Sequence, residues 1–89
     1  MVTVMKIGKM TYEVNVEGEE FTTHEVTLTP KYHKKLTGGL VTPEVLIEKS
    51  FQFMLKQTSN TKIEKSIDLA KVARKFPDFE YNVRIMLGG

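Results

Sequence analysis

The sequence predicts an α+β class protein, a small two-layer domain with a β-sheet on one side and short helices on the other. Three observations carry that expectation. Tyr12, Val14 and Val16 alternate with Glu13, Asn15 and Glu17, the period of a half-buried strand. Thr29-Pro30 and Thr42-Pro43 repeat one helix-start device: a hydroxyl that can accept a first-turn amide, then a proline that has no amide to leave unsatisfied. Between Pro43 and Gln57 the apolar residues Leu46, Ile47, Phe51, Phe53, Met54 and Leu55 spread over a helical arc of roughly 200°, wide enough for a central core helix.

Taken in order, Val2, Val4 and Ile7 begin a first strand, Gly8-Lys9 turns the chain, and residues 11–17 return as the second. Gly18 is expected to supply a positive φ in the next turn, and Phe21 to Leu28, rich in Thr and Val, forms the third strand of an antiparallel hairpin or meander. Thr29-Pro30 opens a short helix with Tyr32 and Leu36 inward, closed by Gly38-Gly39 in the left-handed conformation. The core helix spans about 43–57, and Thr58-Ser59-Asn60 breaks it. Ile63 and Ile67, four apart, predict a brief helical turn, and Asp68 caps a further helix over 69–76 that Pro77 closes. That makes three to four helices. Phe79, Tyr81, Val83, Ile85 and Leu87 alternate with polar residues and Met86, so a C-terminal strand over 79–87 is expected.

The whole chain, 1–89, is expected to be one domain, soluble and cytoplasmic. With 89 residues and 40% hydrophobic content it can build one modest core. No Cys is present, which excludes thiol chemistry and Cys-containing zinc sites. No apolar run approaches the length of a membrane span, and the first ten residues lack the pattern of a signal peptide. The net charge of +2 is unevenly placed: residues 1–29 carry two Lys against five Glu, whereas residues 30–89 carry eleven Lys or Arg against six acids.

Candidate chemistry is sparse, and no cofactor, metal or catalytic set is predicted. Glu17, Glu19 and Glu20 offer oxygens but sit on a hairpin tip without a ligand-rich loop. His24 and Glu25 are neighbours on a strand and so face opposite sides, which separates a would-be acid-base pair; His24 is expected against the sheet. His33 lies among Lys31, Lys34 and Lys35 and reads as a surface histidine. Thr37-Gly38-Gly39 resembles a phosphate loop in outline but lacks its Gly-Lys-Ser/Thr, and a helix cap explains it. The C-terminal Leu87-Gly88-Gly89 suggests the tail of a ubiquitin-like carrier, against which stands the run of helices after the hairpin.

The residues carried forward are basic. Lys71, Arg74 and Lys75 share one helical face, with Lys31, Lys34 and Lys35, and also Lys62 and Lys65, as companions that could neutralise phosphates. A solvated face is the plainer reading, because no Asn, Gln or Ser in 69–76 accompanies them to read bases. Two functions are therefore expected: a non-enzymatic protein-interaction or regulatory domain, and alternatively a nucleic-acid-binding module. A homodimer through an unpaired sheet edge is a further expectation.

Residues 25–81, through Thr29-Pro30 with Tyr32, Leu36 to Gly39, Pro43-Glu44, Ser50-Phe51, Asn60-Thr61 and Phe76-Pro77, resemble a family of small bacterial proteins described only as hypothetical. Those positions are caps, turns and core residues. The resemblance implies a shared fold and no activity, substrate or site.

Overall fold

In the computed structural model, which describes residues 1–88, three antiparallel strands begin the chain. They are β1 (Val2–Lys6), β2 (Thr11–Glu17) and β3 (Phe21–Thr27), forming a meander, one of the two arrangements expected. The register pairs Val4 with Val14 and Val14 with His24, so even-numbered side chains of all three strands share one face. That face is the buried one: Tyr12, Val14, Val16, His24 and Val26 are all enclosed, while Glu13, Glu17 and Glu25 lie on the other face.

Two helices then follow, the second of which packs against the sheet. α1 (Pro30–Thr37) and α2 (Pro43–Gln57) each start as the Thr-Pro device predicts, with the Thr29 hydroxyl accepting from the Tyr32 amide and that of Thr42 from the Val45 amide. Gly38 ends α1 with φ 69°, the left-handed value that a side chain would oppose. Leu46, Ile47, Ser50, Phe51, Phe53 and Met54 of α2 are buried, and Ser50 satisfies its hydroxyl on the Leu46 carbonyl at 2.7 Å.

Four expectations require correction or refinement. The first concerns the C-terminal strand over 79–87, which is instead helix α4 (Phe79–Met86). Phe79 and Val83 are four apart and fully buried, with Met86 and Leu87 packed alongside, whereas Tyr81 and Ile85 are 71% and 54% exposed. The apolar alternation concealed a helical stripe, and Glu80 and Arg84 sit where the helix dipole favours them. Second, Ile67 belongs not to a helical turn but to β4 (Ser66–Asp68), which runs parallel to β3 and completes the sheet order β1-β2-β3-β4. Third, the helix predicted over 69–76 is a 3-10 turn at Leu69–Lys71 leading into α3 (Val72–Lys75); Asp68 caps it as expected, accepting from the Ala70 amide at 3.1 Å. Fourth, Gly18 does not have a positive φ; what bears on it is space, since a Cβ there would lie 3.1 Å from Asn60 Oδ1, a tight contact that the Asn60 side chain would have to relieve.

Candidate binding groove

Between the C-terminal end of α2, the segment 62–68 and α3 lies an open groove of about 440 Å³. Its floor is apolar, built from Met54, Ile63, Ile67, Val72 and Phe76, which reach it from four separate segments. Three ammonium-bearing side chains, Lys62, Lys71 and Lys75, stand on its rim and are exposed. Two carboxylates also line it. That of Asp68 is already engaged as the cap of the following turn, and that of Glu64 is exposed. An apolar floor with polar groups at its margin is the usual composition of a binding site.

Both walls are held from behind. On one side, the segment 60–65 is stapled to β3. Asn60 Nδ2 donates to the Glu20 carbonyl at 2.8 Å and to Thr22 Oγ1 at 2.9 Å, and the Glu25 amide donates to the Lys65 carbonyl at 2.7 Å. His24, only 1% exposed, lies between them. The Glu64 carbonyl can only accept, so His24 Nδ1 carries the proton and donates to it at 2.8 Å, while Nε2 accepts from the Thr22 hydroxyl at 2.9 Å. Phe51 packs at 5.4 Å from the imidazole, centroid to centroid. On the other side, Phe53 meets Phe76 edge to face at 6.0 Å and Phe79 at 5.8 Å, fixing α3 and α4 against α2.

The residues singled out from the sequence are thus divided. Lys71 and Lys75 line the groove with Lys62, and Arg74 is exposed on the same short helix without lining it. Lys31, Lys34 and Lys35 are exposed on α1 and do not line it; Lys35 Nζ lies 5.9 Å from the centroid of the Tyr32 ring. The imidazole of His24, enclosed and bonded through both nitrogens, is structural. His33 is half-buried, and its Nε2 donates to the Val41 carbonyl at 2.6 Å, tying α1 to the loop that follows.

The amides after Thr37 are spoken for: Gly38 donates to Lys34, Gly39 to the Thr37 hydroxyl and Leu40 to the Thr37 carbonyl. They form a helix cap, not an anion cradle. Among the described residues no group of three or more His, Asp or Glu is placed to hold a metal ion, and no helix is long and apolar enough to cross a membrane. The Gly88-Gly89 tail extends outside the described residues.

On α1 and α4, the Tyr32 hydroxyl donates to Glu80 Oε2 at 2.7 Å. Burial, and then the hydrogen bond and charge of Glu80, hold the Tyr32 phenol well above its ordinary pKa; the charge of Arg84 opposes the shift.

Compared with models of known protein families, with curated proteins and with solved structures, the chain matches none.

Proposed function

We propose that this protein is a protein-interaction module whose groove receives an acidic, amphipathic segment of another protein. One observation carries the reading: the apolar floor of Ile63, Ile67, Val72 and Phe76 lies directly beside three exposed lysines. An apolar anchor on the partner would fill the floor, and neighbouring Asp or Glu side chains would meet Lys62, Lys71 and Lys75. Complementary charge at such a rim favours encounter and rejects basic segments. The staples behind the wall support a pre-formed site, which lowers the ordering cost of binding.

The test is a fluorescence-anisotropy titration with a short synthetic peptide of Leu and Phe interspersed with Asp and Glu, alongside a second peptide bearing Lys at the acidic positions. The acidic peptide is expected to bind and the basic one not to. The double substitution Lys71→Glu with Lys75→Glu is expected to weaken the acidic peptide about tenfold or more. Equal binding of both peptides, or indifference to the charge reversal, overturns the reading.

Nucleic acid is the second reading, favoured by the exposure of Lys71 at the end of the 3-10 turn and of Arg74 and Lys75 in α3, which follows it directly. A single-stranded oligonucleotide in the same assay separates the two. Phosphate binding would fall steeply with salt, whereas a site with an apolar floor retains much of its affinity.

A further inference from the structure

The two edges of the sheet differ. At one, β4 is three residues long and runs directly into a capped turn, which leaves little to pair. At the other, β1 runs five residues without a proline and with Lys6 as its single charge, so the usual guards of an edge strand are nearly absent.

The hydrogen-bond phase of β1 is fixed by its ends. The Glu17 amide donates to the Met1 carbonyl at 2.9 Å, and the Ile7 amide donates to the Thr11 carbonyl at 3.0 Å. Antiparallel bonding alternates, so Thr3 and Met5 also turn their backbone groups toward their partners Asn15 and Glu13 on β2. The amides and carbonyls of Val2, Val4 and Lys6 therefore point outward along the free edge. Their side chains face inward, and Val2 and Val4 are only half-buried, packed against the core from its margin.

We propose that this edge is the interface of a homodimer in which two β1 strands pair antiparallel across a two-fold axis at Val4. That register uses every outward group. Val4 exchanges two bonds with Val4 of the second copy, and each Val2 exchanges two with the opposing Lys6, giving an eight-stranded sheet across the pair. A shift by one residue would face outward groups with groups already used by β2. On the outer face the same register sets Met5, 51% exposed, opposite Thr3 and next to the second Met5, and so begins to cover surface that each copy leaves open.

Charge permits it. The two Lys6 residues lie at opposite ends of the paired strands, about 14 Å apart, farther than charges interact strongly at physiological salt. Strand pairing over so short an edge buries less than a standard interface, so a dissociation constant of about 0.1–1 mM is expected.

The test uses the full chain in a concentration series, with sedimentation and amide hydrogen exchange measured together. The expected result is a concentration-dependent dimer in which the Val2, Val4 and Lys6 amides exchange about tenfold more slowly at high concentration while Thr3 and Met5 do not change. Val4→Pro removes an amide that β2 does not use, and Met5→Lys places two ammonium groups about 7–8 Å apart across the axis; both are expected to remain monomeric. If Val4→Pro fails to fold, Met5→Lys and the exchange pattern decide. A monomer at millimolar concentration, or a dimer whose Val4 amide is no better protected than in dilute solution, overturns the proposal.

Discussion

Asn60 is buried beneath the β2-β3 turn, where its amide bonds to Glu20 and Thr22 and its oxygen faces the space that Gly18 leaves open. Truncating it removes the donor that ties both groups to the segment behind the groove, leaving the Glu20 carbonyl with the Gly18 amide and the Thr22 hydroxyl with His24 as their remaining partners. Asn60→Ala is expected to destabilise the fold by about 1–3 kcal/mol in chemical denaturation, and to weaken the acidic peptide at the groove whose wall it anchors. An unchanged denaturation midpoint would remove Asn60 from this role. Tyr32 carries a pH dependence. Its folded pKa is raised by burial and by Glu80 above the ordinary 10.0, so below that pH both folded and unfolded chains hold the proton and the contribution is whole. As pH rises past 10.0 the unfolded chain loses the proton first, and stability falls. Tyr32→Phe is expected to cost about 1–2 kcal/mol at neutral pH and to flatten the alkaline decline, leaving the part due to Tyr12, which burial and then Glu44 also raise. A denaturation series from neutral to alkaline pH checks both signs.

Among the elements, legibility followed the range of the interactions that set them. α1 and α2 were readable because Thr29, Thr42 and Gly38 act on amides and torsions within four residues of themselves. The antiparallel N-terminal strands were readable because a one-residue slip would move Tyr12, Val14 and Val16 into water. α4 was not. Phe79, Val83, Met86 and Leu87 fit a helical stripe, and Phe79 to Leu87 also fits a strand; both periods were present, and packing against Phe53 chose one. β4 was too short for any period to register, and it exists because β3 offers an unpaired edge and Asn60 and His24 bring the chain to it. Of the groove, Lys71 and Lys75 were legible as a basic face. Its floor was not, since Met54, Ile63, Ile67 and Phe76 looked like separate contributions to the core.

Across the whole molecule, the acidic outer face of the sheet and the basic helical residues are set on different surfaces, so a net charge of +2 conceals two opposed fields. The groove adjoins β4 and the proposed dimer edge is β1, at opposite margins of the sheet. Helix α2 packs against β1 and lends Met54 to the groove, but the sites lie at opposite margins of the sheet and are expected to act nearly independently. Val4→Pro should leave the anisotropy-measured affinity for the acidic peptide within about twofold of the unaltered chain, and a larger change would mean the two surfaces are coupled. By itself the sequence determined the α+β class, the antiparallel N-terminal strands, the capped helices and the placement of charge, because these depend on period, caps and composition within a few neighbouring residues. Only the tertiary structure decided that the last segment is a helix, that His24 is a staple, and that Lys62, Lys71 and Lys75 surround one apolar floor. Those outcomes depend on contacts between residues tens of positions apart, whose mutual distances a linear pattern does not contain.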